Sequence, residues 1–171
     1  AEYGNKSYLN EADEHYKKFL NLIPRSSIPI MQAITSSAIR YFSIERYFSQ
    51  RIKRKDQFTE SEVNFYHFSR GADSEVYGEL AKLSHKQTSG MISGFRHRQA
   101  LWDLADEIVD LELDKKNLGV NLLLMANLDD KKKLTSFAKK LYQETIDLKI
   151  PDPLRRRIEL EYEKVLSLIK K

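Results

Sequence analysis

The chain has no cysteine, which excludes disulfides, zinc–thiolate and iron–sulfur sites, and cysteine nucleophiles. Six glycines and four prolines are few for 171 residues. Sheet proteins need many tight turns and usually carry more of both. No apolar run approaches the length of a membrane span; the longest, 121–128, is far too short. Residues 1–10, AEYGNKSYLN, contain no apolar signal core. The sequence also lacks a glycine-rich phosphate loop, a G-x-S-x-G elbow and an H-E-x-x-H pair. His15, His67, His85 and His97 are scattered without local triad cues. The expectation therefore leans away from an enzyme, and no cofactor is implied. A start at Ala1 fits a trimmed chain, a processed cytosolic protein or a mature exported one. A cytoplasmic location is the expectation.

What is present is globular in character. Hydrophobic residues make up 41% and charged residues 32%, enough for a core under a charge-rich surface. The length fits one domain over 1–171. Nearly every long window has apolar residues at steps of three and four, the period of an amphipathic helix. Windows 10–23, 30–55, 96–113 and 131–149 read this way, as does the stretch after Pro153. Thr59 and Glu62 form a capping box. Gly71 interrupts the helix that follows, and Asp73 recaps the next. Asp129 is placed as the cap of the 131–149 helix, and Asp152 with Pro153 restarts the last. Ser89-Gly90 and Ser93-Gly94 read as a soft region before 96–113. The apolar 120–128 reads as a buried central segment. These patterns predict an all-α, single-domain helical bundle of six or seven helices with short connections.

The stretch 83–108, LSHKQTSGMISGFRHRQALWDLADEI, raises the question of a chemical site against a helix seam. Phosphotransfer histidines lie in strings resembling H-x-x-K-G-S. Here His85 is followed by Thr88 where lysine is expected and Ser89 where glycine is expected. Phosphotransfer on His85 is thus a third-ranked reading, and an exposed helix-end histidine ranks above it. Arg96-His97-Arg98 sits near a helix start, where cations oppose the dipole, so pairing with acids inside the protein is expected. Trp102 lies one position off the apolar face, at the edge of the core. Seam ranks before site.

Asp103, Asp106/Glu107, Asp110 and Asp114 recur at steps of three and four. Carboxylate bundle metal sites need Glu-x-x-His pairs, and the chain has none. A solvated acidic face with no metal is the expectation.

The net charge of +4 is unevenly spread. Segment 40–55, RYFSIERYFSQRIKRK, interleaves arginines with aromatics around one acid, Glu45. Arginine and tyrosine are common anchors of interfaces. The leading expectation is a non-enzymatic interaction or regulatory module, or accessory subunit. It would bind another protein through Arg40, Tyr41, Arg46, Tyr47 and Arg51. The alternative is nucleic-acid binding through basic clusters. These are 51–55 with Lys53, Arg54 and Lys55; Lys131, Lys132 and Lys133; and Arg155, Arg156 and Arg157, with Arg96 and Arg98 as further anion contacts. No zinc-finger spacing, RNP aromatics or G-x-x-G loop supports that alternative.

Overall fold

The computed structural model describes residues 14–15, 17–18, 21–22, 28–83, 90–117 and 121–170. These residues contain helices and no strand. The first long element, α1 (Ile28–Lys53), has 26 residues, about 39 Å at 1.5 Å per residue. Its inward stripe of Ile30, Ser37, Ile44, Phe48 and Ile52 follows the helical period. It ends on Arg51 and Lys53, cations that suit the negative end of the dipole. The chain turns through Lys55, at φ 58°. Phe58 then stacks on Phe48, with ring centroids 5.3 Å apart and planes at 12°.

α2 (Glu60–Arg70) begins with the expected capping box. Glu62 N–H donates to Thr59 Oγ1 at 3.2 Å and Thr59 N–H to Glu62 Oε2 at 2.8 Å. A short turn, Gly71–Asp73, separates it from α3 (Ser74–Leu83). The longest element, α4 (Met91–Asn117), is followed by α5 (Leu122–Met125), α6 (Lys131–Ile146) and α7 (Asp152–Lys170). The expected helical bundle is observed, with seven helices among the described residues. No helix there is long and apolar enough to cross a membrane. The helix expected over 10–23 lies mostly outside the described residues, although 14–15, 17–18 and 21–22 are helical.

α4 is the central rod. Ala100, Leu101, Leu104 and Ala105 are wholly buried, and they share one core with Val63, Phe137, Ala138, Ile158 and Val165. Its heaviest packing is on α7, then on α2, with α3, α5 and α6 also in contact. α7 runs parallel to α4: a Cβ on Gly94 would meet Leu154 Cδ2 at 2.9 Å, and Arg98 reaches Glu161 at 3.3 Å. α2 and α6 run antiparallel to α4. His67 faces Glu107 while Gly71 faces Arg96, and Asp129 lies by Lys115 while Glu144 lies by His97.

Two local expectations are corrected. The region 93–94 is inside α4, not a break before it; Gly94 N–H donates to Gly90 O at 2.8 Å. Gly94 is a point of close helix approach, where a side chain would collide with α7. The cap of α6 is Asp130, whose Oδ1 accepts from Lys133 N–H at 2.8 Å, not Asp129. Asp129 instead stands 3.8 Å from Lys115.

Candidate functional site

The acids of α4 do not all face water. Asp103 is buried, Glu107 is largely buried, and Asp106 and Asp110 are exposed. The stripe Asp103–Glu107–Asp110–Asp114 sits beside the core stripe of the same helix, so its first half turns toward α2. The solvated-face expectation thus holds only for part of it.

Arg70 of α2 joins the neighbouring helices. Its Nε lies 3.7 Å from Glu45 of α1 and 3.7 Å from Asp103 of α4. Tyr66 donates its hydroxyl to Glu45 at 3.0 Å, and the Arg70 guanidinium lies 5.6 Å from the Tyr66 ring centroid. Gln99 donates to Asp103 Oδ1 at 2.9 Å. Burial pushes the Asp103 carboxyl up despite the nearby Arg70. Burial also pushes the Tyr66 phenol up.

One turn away, His67 is 0% exposed and neither ring nitrogen has a hydrogen bond. Its Nε2 is 3.7 Å from Glu107 Oε2, which is sealed from solvent and also lacks a hydrogen-bond partner. Burial pushes His67 down to about 3, helped by Arg70. Burial, with Asp103 next, pushes Glu107 up to about 8. At neutral pH both are uncharged, so their approach is not an ion pair. Among the described residues, no group of three or more such side chains is placed to hold a metal ion.

An open groove of about 700 Å³ runs along α1, lined by Tyr41, Phe42, Glu45, Arg46, Ser49, Ile52 and Lys53. A second recess of about 160 Å³ is lined by Ile52, Tyr66, Glu107, Asp110, Asp114 and Asn121. The two meet at Ile52. α1 and α4 both pack on α2, and Arg70 spans between them. Among the described residues the groove is lined by α1 alone and is aromatic, with Phe42 67% exposed, while the recess joins Ile52 and Tyr66 to the acids of α4. Neither Asp106 nor Asp110 has an ion pair among the described residues.

The residues expected to bind a partner divide between two environments. Tyr41 and Arg46 line the groove. Arg40 pairs with Glu75 at 2.5 Å. Arg51 is held by Glu62, by Asp56 at 3.3 Å and by Gln57 O at 2.8 Å, and lies 4.3 Å from the Phe58 centroid. Half-exposed Tyr47 accepts from Arg51 at 3.3 Å, on the other side of α1 from Phe42.

The Arg-His-Arg triplet has partners within the chain. Arg96 reaches Glu75 at 2.7 Å, and Arg98 pairs with Glu161 and lies 5.4 Å from the Trp102 centroid. His97 Nδ1 is 2.8 Å from Ser93 O, and its ring meets Phe68 edge-on. Trp102 itself is 40% exposed. His85 lies outside the described residues.

The basic clusters occupy two ends of the bundle. Lys131 donates to Lys170 O at 3.1 Å and Lys133 to Asn127 O at 2.8 Å. Phe58 N–H donates to Met125 O at 3.1 Å, which brings 53–55 near that end. Exposed Lys53, Arg54, Lys55 and Lys132 lie there too, Arg54 paired with Asp56 at 3.0 Å. Arg155 donates to Leu148 O at 2.8 Å, at the far end of antiparallel α6 and α7, with exposed Arg156 and Arg157 beside it. A helix of 16 residues, about 24 Å, separates the ends.

Motif reading passes over Tyr66 and Arg70 in this network; His67 is counted there only as a scattered histidine, and Glu107 is expected on a solvated face rather than buried against His67. The signal available was an acidic stripe running alongside an apolar one on the same helix.

The fold is an all-α bundle with an aromatic groove along α1 and an acidic recess beside α4. Comparison with protein-family models, curated proteins and solved structures gave no significant match.

Proposed function

We propose that the protein is a helical binding module that docks an amphipathic, basic segment of another protein in the groove of α1, toward the acids of α4. The observation that carries this reading is a pair of neighbouring surfaces that share Ile52: exposed Phe42 beside Tyr41 along α1, and a recess holding Asp110, which has no ion pair among the described residues. A docked helix, about 10–12 Å across with its side chains, would lie along α1 toward the acids of α4. Apolar side chains of the segment would cover Phe42 and Tyr41, and its cations would face α4. Arg46, on the outer rim, favours an acidic or aromatic residue at the opposite edge. This is the helix-in-groove mode of recognition, with charge setting orientation.

The test is fluorescence anisotropy with a short fluorescein-labelled leucine–lysine peptide of helical period. A leucine–glutamate peptide and a duplex oligonucleotide serve as comparisons. Saturable binding of the leucine–lysine peptide is expected, weakened about tenfold or more, roughly 1.4 kcal/mol, by Phe42→Ser or Asp110→Lys. Both variants should keep the wild-type circular dichroism and melting curve. Equal binding of the glutamate peptide, or indifference to both substitutions, would overturn the reading. Binding of the oligonucleotide alone would favour the lysine-rich end as a phosphate-binding surface.

A further inference from the structure

We propose that the chain's own segment 12–23 folds back antiparallel on the outer side of α1 and covers Ile28, Met31, Thr35 and Ile39. This side lies away from the core stripe of Ile30, Ser37 and Phe48. Ile28 is 58% and Ile39 63% exposed, and an open groove of about 360 Å³ is lined by Ile28, Met31, Gln32, Thr35 and Ser36. The peptide groove begins further along, at Tyr41. The inference therefore goes beyond the binding-module reading and does not rest on it.

The occupant is named by three observations. The described positions of the segment, 14–15, 17–18 and 21–22, are helical and all exposed. At about 100° per residue, these positions share one side of a helix. In the sequence, the opposite side of such a helix carries Ala12, Tyr16, Leu20 and Ile23. The connection is also short: only residues 23–27 separate helical Leu22 from Ile28, the first residue of α1. Ile23 precedes Pro24, and a residue before proline is turned away from helical backbone, so one straight helix does not run through. Connections of this length join antiparallel neighbours in helical bundles. Finally, the two stripes match step for step. Leading away from the connection, α1 presents Ile28, Met31, Thr35 and Ile39, at steps of three, four and four. In the other direction the segment presents Ile23, Leu20, Tyr16 and Ala12, at the same steps. Antiparallel packing sets Ile23 on Ile28, Leu20 on Met31, Tyr16 on Thr35 and Ala12 on Ile39. The large ring meets a small side chain at Thr35, and the smallest of the four meets Ile39. Such alternation of large and small lets facing helices interdigitate.

The natural lack of cysteine makes disulfide trapping selective. A disulfide needs Cα atoms within about 7 Å. Two matched pairs, Leu20→Cys with Met31→Cys and Ala12→Cys with Ile39→Cys, are oxidised with copper–phenanthroline and followed on non-reducing gels. Two mismatched pairs serve as comparisons. Lys17→Cys with Met31→Cys places one thiol on the exposed side of the segment. Ala12→Cys with Met31→Cys is about 12 Å out of register. Both matched pairs should close within one chain at least tenfold faster than either mismatched pair. In the unsubstituted, methyl-labelled protein, nuclear Overhauser contacts should join Leu20 to Met31 and Ile23 to Ile28. Equal rates for matched and mismatched pairs, or absence of those contacts, would overturn the proposal. Cross-links formed only between chains would overturn it too, and would give this face to a second copy. None of these outcomes bears on the peptide test, which reads Phe42 and Asp110.

Discussion

Glu107 and His67 lie on facing helices, and their protons have opposite effects on stability. Glu107 is raised to about 8 from an ordinary 4.5, so the native state holds a proton that the unfolded chain has lost. Its stabilising contribution is complete below about 4.5 and is lost as pH climbs through about 8. His67 is lowered to about 3 from 6.5, so its contribution is complete above about 6.5 and is lost as pH falls through about 3. The two slopes oppose each other between 4.5 and 6.5. From 6.5 to 8 only the Glu107 slope remains, with stability falling by up to about 1.4 kcal/mol per pH unit. Urea unfolding of wild type and Glu107→Gln across this range should show the fall in the first and not in the second. Parallel curves would mean that Glu107 is ionised in the folded protein. Arg51 belongs to the same scale. It combines ion pairs to Glu62 and Asp56 with a carbonyl contact and a guanidinium stacked on Phe58. Arg51→Ala should lower stability by about 1–2 kcal/mol through lost packing and hydrogen bonds. An unchanged urea midpoint would make that network decorative. Arginine and tyrosine types in 40–55 were readable from sequence, but which of them face inward was not. Arg51 and Arg40 are drawn to Glu62 and Glu75, residues 11 and 35 positions further along the chain, and such pairings leave no local mark.

The elements were largely legible because their signals are local. The capping box at Thr59, the long uninterrupted α1 and the apolar faces of α6 and α7 need only short windows of chain to appear. Thr59→Ala should cost about 1 kcal/mol, read by thermal or urea unfolding. The start of α4 was less legible, because glycine suggests a break unless the neighbour it admits is known. At Gly90, φ is +77° and a Cβ would lie 2.5 Å from Lys149 O, so both backbone conformation and space demand glycine. Gly90→Ala should destabilise by about 1–3 kcal/mol. A neutral result would show that the approach of α4 to the loop before α7 is not constrained there. The stretch 83–108 is thus, over its described part, a seam. Its second glycine lets α7 pack close, and its Arg-His-Arg triplet is bonded to Glu75, Ser93 and Glu161.

At the scale of the molecule, direction of travel decides where charge collects. The C-termini of α1, α4 and α7 share one end, where their cations complement three helix dipoles. Lys131–Lys133 join them there, and Arg155–Arg157 lie about 24 Å away. The three clusters therefore form no continuous track, a fact hidden from sequence because it depends on α6 and α7 running antiparallel. The nearness of the α1 groove to the α4 acids was hidden for the same reason: Glu45 and Asp103 are about 60 positions apart and meet across Arg70. The most direct test of this docking surface is backbone amide mapping of the isotope-labelled protein with the leucine–lysine peptide. Shifts should concentrate in 41–53 of α1 and 103–114 of α4 and need about tenfold or more peptide to saturate in Phe42→Ser. Shifts confined to 131–133 and 155–157, or an absence of saturable change, would contradict the account.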